Sequence, residues 1–286
     1  MGPVTTTGDR LPISDRLRAR LADPDSRIVV LTGAGISVAA NLPTYRGEGG
    51  LYPTGTLIPM TASLARSREV HRLWNQIGHI SDITSPAAGK DRIAPTRAHR
   101  ALAAAEAAGR HLKVITQNID GLHAAAGSTV VELHGNIGRA TCLNPKCRIT
   151  RPAPIGHRPD GPAEVARCTD HTDADGYTHT GCGARLRPDV VLFEELLDRG
   201  NIHAATTAAH NADVILAVGT SLQVYPAAGW VLAALGSGAL GAWLELDPTA
   251  MLAEVDPADR AGFAQLEPVP GDCQETLPAL LGLTGI

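Results

Sequence analysis

Short, nearly unbroken apolar runs recur along the chain: RIVVLTG at 27–33, LKVITQN at 112–118, TVVELHG at 129–135, ADVILAVGT at 212–220 and GAWLELD at 241–247. Continuous rather than alternating apolar runs suit parallel strands buried on both faces. Ala-rich helical segments lie between several of them, at 96–108, with Gly109 as the expected C-terminal cap, and at 201–211. Strand, helix, strand alternation over this length predicts an α/β fold with a doubly wound parallel sheet whose ligand crevice lies at the carboxyl ends of the strands. The longest apolar stretch, 224–246, is interrupted by Pro226 and several glycines and ends in the charges of Glu245 and Asp247. It predicts a buried helix, a turn at GSG and a core strand rather than a membrane span.

Two segments break the alternation. Residues 49–94 are helical at best and bordered by Gly, Pro and Ser, and residues 141–185 carry four of the five cysteines with little apolar periodicity. Strand signals resume after each, so both read as inserts. Residues 1–11 read as a flexible lead.

Composition narrows the partners. The 286 residues are 44% apolar and 19% charged, ordinary for a globular protein, and the net charge is -4. An acidic chain does not have the cationic excess of a protein whose main work is neutralising phosphates, so no specific nucleic-acid partner is expected. The 22 Arg against three Lys (Lys90, Lys113, Lys146) carry no mechanistic weight. No basic start followed by an apolar run is visible at the N-terminus, which predicts a cytoplasmic location and no membrane partner.

The candidate chemistry gathers at strand ends. After Leu31 the chain enters T-G-A-G-I-S, where glycines let backbone approach a pyrophosphate and a following helix would aim N–H groups at it. The third glycine of a dinucleotide fingerprint is replaced by Val38, and no acidic residue ends a second strand about 20 residues on, which disfavours an ordinary dehydrogenase. Next, NLPTYRGEGGLY at 41–52 reads as a long loop with one cation, Arg46, able to close over an anion. TQNIDGLH at 116–123 places Gln117, Asn118 and Asp120 at the crevice, suited to ribose hydroxyls and a carboxamide. VELHGN places His134, a residue type suited to general-base work near neutral pH, at the next strand end. Gly219, Thr220 and Ser221 suit a nucleotide's phosphate or ribose, and Glu245 and Asp247 could accept from ribose hydroxyls.

Cys142, Cys147, Cys168 and Cys182 are spaced C-x4-C, then C-x13-C. Four thiols in a chain with no visible secretion signal predict one structural zinc rather than disulfides. The second pair is far wider than a usual knuckle, and His171 and His179 each stand three residues from a cysteine, so either could replace a thiol. Cys273 stands apart as a free buried cysteine.

In order, GAGIS, PTYRGEGGLY, TQNIDGLH, ELHGN, the four-cysteine insert, GARLRPDVVLFEE and GTSLQVYPA resemble the sirtuin (Sir2) family of NAD-dependent protein deacylases, of bacterial type, over about residues 27–273. The resemblance implies that Gly33, Ala34, Gly35 and Ser37 hold the pyrophosphate and that Pro43, Tyr45 and Arg46 belong to the cofactor loop. Gln117, Asn118, Ile119 and Asp120 would face ribose and nicotinamide, and Gly219, Thr220, Ser221, Glu245 and Asp247 the adenosine side. Cys273 would meet the adenine end through its backbone. It further implies a large NAD-binding domain of Rossmann type, 12–48, 95–140 and 186–286, a small domain made of the helical insert 49–94 and the zinc-binding insert 141–185, and a catalytic role for His134, as general base, and for Asn118. The acyl-lysine oxygen would attack the nicotinamide-bearing ribose carbon and nicotinamide would leave; His134 would help deprotonate a ribose hydroxyl, and water would release lysine and acyl-ADP-ribose. An acylated protein would lie as an added strand between Val191–Phe193 and Gln223–Tyr225, contacting Val191, Phe193, Val224 and Tyr225.

Two positions depart from that pattern. Phe193 is followed by Glu194 and Glu195 where the family has Phe-Gly-Glu. Where relatives that remove succinyl or malonyl groups have a Tyr-x-x-Arg pair, alignment on Trp74 gives Ile77 and Ile80. A pocket without a cation disfavours an acidic acyl group, so acetyl or a longer neutral chain is expected. The alternatives are an ADP-ribosyltransferase or NAD hydrolase on the same cofactor site, and a zinc-ribbon binding module; Asn118 with His134 favours the deacylase, and the acidic charge disfavours the module.

Overall fold

A computed structural model of the chain describes residues 11–42, 69–75, 93–147, 149–153, 159–172 and 175–283. Six parallel strands form the main sheet in the order β11-β10-β9-β1-β2-β3. These are β1 (Ile28–Thr32), β2 (Leu112–Thr116), β3 (Val130–Glu132), β9 (Val214–Val218), β10 (Leu240–Glu245) and β11 (Glu267–Pro270). The first three run outward on one side and the last three on the other, so the order reverses between β1 and β9. A ligand crevice opens at such a reversal, outside the carboxyl ends of the two strands.

All five residues of β1 and of β9 are buried. Side chains alternate between faces, which divides the core in two. Val29 and Leu31 pack with α4 (Arg199–His210), α5 (Ala227–Gly236) and Phe263 of α7 (Pro257–Phe263). Ile28 and Val30 pack with α1 (Asp15–Ala22), α2 (Arg97–Ala107) and α8 (Cys273–Leu280). Polar caps begin the helices: Ser14 for α1, Asp198 for α4, whose side chain accepts from Asn201 N at 3.0 Å, and Asp272 for α8, which accepts from Gln274 N at 2.9 Å. At α2, Thr96 and His99 form a reciprocal capping box, and Gly109 follows its end with φ +84°.

The apolar stretch at 224–246 resolves into α5, a turn with Gly238 at φ +95°, and β10. Among the described residues no helix is long and apolar enough to cross a membrane. Two short helices, α6 (Pro248–Glu254) and α7, connect β10 to β11; a short helix, α3 (Leu122–Ala126), connects β2 to β3.

Beyond β3 the chain leaves the main sheet at His134 and enters an antiparallel sheet, β5 (Thr150–Pro152), β4 (Gly135–Cys142) and β8 (Leu186–Val190), ordered β5-β4-β8. A ribbon of β6 (His171–Thr172) and β7 (Thr178–His179) stands apart. Val70 and Trp74, in a helical stretch at 70–75, pack with Ala140, Cys142, Val165, Cys168 and Leu186, and Trp74 Nε1 donates to Leu186 O at 3.0 Å. The two inserts therefore share a small core.

Candidate active site

The crevice floor is backbone against backbone. Gly33 N donates to Val218 O at 3.1 Å and Gly35 N to Gly219 O at 2.9 Å. A Cβ on Gly35 would lie 2.6 Å from Gly219 Cα, so the ends of β1 and β9 meet only because neither bears a side chain there. Gly219 also has φ +57°. The predicted following helix is a seven-residue 3-10 helix, Ala34–Ala40, and Val38 at the replaced glycine position is exposed.

The end of β2 supplies polar groups to the same place. Asn118 Nδ2 donates to Gly33 O at 3.0 Å and to Ser37 Oγ at 3.2 Å, and Ser37 Oγ donates to Asp120 Oδ2 at 2.7 Å. Asp120 Oδ1 accepts from Leu122 N at 2.9 Å. Burial raises the Asp120 pKa against the lowering effect of these two donors. Gln117 Nε2 donates to Thr220 Oγ1 at 2.9 Å, spanning from β2 past β1 to β9. The structure thus brings together Gly33, Gly35, Ser37, Gln117, Asn118, Asp120, Gly219 and Thr220; Ala34 and Ser221 sit within the same two turns, and Ile119 O accepts from Ile137 N at 2.9 Å.

Farther along the crevice, burial raises the Glu245 carboxyl pKa. Asp247 has a structural duty, capping α6 by accepting from Ala250 N at 2.9 Å. Cys273 lies behind the glycine turn with its Sγ 3.9 Å from Gly35 O, and Gln274 Nε2 donates to Ile36 O at 3.0 Å. Pro43, Tyr45, Arg46, Ile77 and Ile80 lie outside the described residues.

His134 occupies the seam between the two sheets. Its Nδ1 lies 2.8 Å from Gln117 O, an acceptor only, so Nδ1 carries the proton and Nε2 is the basic nitrogen. Burial lowers its pKa, partly offset by that bond, so the ring is neutral near pH 7. Arg139 clasps the seam, donating to Glu132 at 2.7 Å and Asp189 at 2.9 Å. Val191 N donates to His134 O at 2.8 Å, placing the residues after β8 beside the imidazole. Their turn is fixed by Arg187, which makes a two-pronged bond to Glu195 at 2.5 and 2.8 Å, while Glu195 accepts from Leu192 N at 2.9 Å. Glu194 has φ +71°, a conformation that favours the glycine it replaces. Phe193 and Tyr225 are both half exposed.

One buried polar group escaped the sequence analysis. His99 and His123, 0% and 2% exposed, place their ring centroids 4.5 Å apart beneath the crevice. His123 Nε2 lies 2.9 Å from Thr32 Oγ1, which donates to Thr116 Oγ1 at 2.8 Å; His99 Nδ1 lies 2.7 Å from Thr96 Oγ1. His99 Nε2 and His123 Nδ1 have no hydrogen-bond partner among the described residues. Burial, with smaller contributions from His123 and Arg100, lowers His99 to about 2, and burial lowers His123 to about 4. His123 closes the TQNIDGLH motif, but a histidine on an Ala-rich helix gives no signal of burial.

The Sγ atoms of Cys142, Cys147, Cys168 and Cys182 all lie within 4.8 Å of one another. Cys142 and Cys182 are 3.5 Å apart and Cys147 and Cys168 3.7 Å. A tetrahedral zinc with Zn–S distances of ~2.3 Å sets its sulfurs ~3.8 Å apart, so these four fit one ion and leave it no open position. His171 and His179 are not in the group; they face each other across the β6–β7 ribbon. The ribbon explains the wide C-x13-C spacing, because it brings its two ends back together.

The sequence model of the Sir2 family matches residues 33–226. An NAD-dependent protein deacetylase of Cutibacterium acnes is 38% identical over 211 residues, 73% of this chain and 79% of that protein. Among solved structures, a complex of a Sir2 homologue with NAD matches at TM-score 0.72 and 28% identity, covering 94% of this chain and 93% of that one. A Sir2 protein with a deacetylated p53 peptide and 3'-O-acetyl-ADP-ribose matches at 0.68 and 26% identity, covering 93% and 96%.

Proposed function

The chain belongs to the Sir2 family, and from that premise we propose that it is an NAD-dependent protein lysine deacylase acting on neutral acyl groups in the cytoplasm. The observation that carries this reading is His134: its Nδ1 is committed to Gln117 O, leaving Nε2 basic, at the seam beside the crevice. NAD, when bound, supplies the activated ribose carbon and the hydroxyl that receives the acyl group. Gly33, Gly35 and Gly219 give its pyrophosphate close approach to backbone. Ser37 joins them at the pyrophosphate, and Gln117, Asn118 and Asp120 offer donors and acceptors to the nicotinamide ribose and carboxamide. With NAD bound, His134 Nε2 would accept the proton of the ribose hydroxyl that takes the acyl group and would pass it to the departing lysine amine. Zinc, held by the four cysteines, maintains the small core and takes no part in the chemistry.

The acylated peptide lies between the Val191–Phe193 and Gln223–Tyr225 segments. Ile77 and Ile80, at positions where acid-selective relatives carry Tyr and Arg, support acetyl or longer neutral chains. The test is mass spectrometry of the purified protein with NAD and lysine peptides carrying acetyl, crotonyl, long-chain or succinyl groups. Acyl loss with equimolar acyl-ADP-ribose is expected for the neutral chains, and His134→Ala is expected to abolish it. A mass gain on protein without acyl loss would favour ADP-ribosyl transfer, and succinyl removal as fast as acetyl removal would overturn the acyl assignment.

A further inference from the structure

The Gln223–Tyr225 segment follows a reversal at Leu222, which is buried with φ +54°. Tyr225 is 52% exposed, yet its hydroxyl is engaged, donating to Asp259 Oδ2 in the first turn of α7. Gln223 Nε2 reaches Glu254 Oε2, at the end of α6, at 3.5 Å. Both carboxylates stand on a braced corner. Arg260 donates to Ala253 O at 2.8 Å and Val255 O at 3.1 Å, and Val255 and Phe263 are 2% and 1% exposed.

We propose that Asp259 is a positioning residue that fastens Tyr225, and with it the Gln223–Tyr225 segment, to the α6–α7 corner and so sets the affinity for the acylated peptide. The assignment rests on the reading of that segment as one wall of the peptide groove. A wall that is already immobile spares the complex the ordering cost that binding would otherwise carry. The tether is charge-assisted, and such bonds are roughly twice as strong as neutral ones. Tyr225 is pushed up to about 12 by burial and by Asp259, so the phenol remains a donor throughout the neutral range. Asp259 touches neither the crevice glycines nor His134, so its loss weakens ground state and transition state alike, which appears in KM rather than kcat.

The experiment is steady-state kinetics of Asp259→Ala, Tyr225→Phe and the double variant, with peptide and NAD varied separately, alongside anisotropy of a labelled acetyl-lysine peptide. Each single variant is expected to raise the peptide KM and Kd about five- to tenfold, a shift of about 1 to 1.4 kcal/mol. For Asp259→Ala the expected kcat and NAD KM stay within twofold, and the double variant raises the peptide KM no further than the worse single. Asp259→Asn, which keeps an acceptor but not the charge, is expected to recover about half of the lost binding free energy. An unchanged peptide KM in Asp259→Ala, additive single effects, or an NAD KM rising in step would overturn the proposal while deacylation by the wild type left the function standing. A wild type that binds the peptide without deacylating it would overturn the function, and the Kd shift would then decide the tether. A wild type that does neither would overturn both.

Discussion

Lowering the pH from 7.5 to about 5 sets the folded and unfolded chains at odds over two histidines. In the unfolded chain both imidazoles have a pKa near 6.5 and bind a proton over this interval. In the folded chain His99, lowered to about 2, and His123, lowered to about 4, stay neutral. The unfolded state binds more protons, so stability is fully present above pH 6.5 and falls as the pH drops toward the folded values. At 1.36 kcal/mol per unit, an imidazole held neutral 1.5 units below its unfolded pKa gives up about 2 kcal/mol, and the pair about 4 kcal/mol. That is a large part of a typical stability of 5–15 kcal/mol. The assay is urea unfolding of wild type and His123→Leu at both pH values. Zinc release and carboxylate protonation are common to the two proteins and cancel in the comparison. The stability lost on acidification should be smaller in His123→Leu by about 2 kcal/mol, and the same loss in both would refute the argument.

Other expectations follow from the same geometry. Metal analysis should give one zinc per chain, kept by His171→Ala and His179→Ala and lost, with cooperative unfolding, in Cys147→Ala; retention of zinc there would show that the four thiols are not the site. Glu194→Gly should raise Tm by about 1–2 °C, because relief of a left-handed residue, ~1–2 kcal/mol, exceeds the added freedom of the unfolded chain, ~0.4–1 kcal/mol; a lower Tm would mean that the Glu194 side chain is itself stabilising. The acid limb of kcat/KM should fall below pH 6.5, since the working form of His134 is the neutral ring and burial lowers its pKa; a midpoint above 7 would remove it as the base.

The sheet was legible because its central strands are buried on both faces and therefore read as unbroken apolar runs, as in IVVLT of β1 and VILAV of β9. β11 was not legible: EPVP contains two prolines, tolerated because the strand pairs only with β10 at the edge. The crevice residues could be read from Gly33, Gly35, Gln117, Asn118 and His134 because each follows the end of a strand run. What joins them could not. The Gln117–Thr220 bond crosses 103 positions, and the His99–His123 pair depends on packing between two helices that sequence period alone does not specify. Cysteine identity predicted the metal, but choosing thiols over His171 and His179 required the fold of the ribbon between Cys168 and Cys182.

That ribbon separates the geometry of the metal site from the length of chain that builds it. A tetrahedral ion constrains four sulfur positions and says nothing about the length of chain between them. The excursion seals itself, with Thr172 and Thr178 hydroxyls 3.0 Å apart and Gly181 N donating to Asp170 at 2.8 Å. The four sulfur positions therefore do not by themselves fix the number of residues between Cys168 and Cys182. The metal module constrains where its ends meet and leaves the path between them open, whereas the crevice at Gly33, Gly35 and Gly219 has no room for a single added carbon.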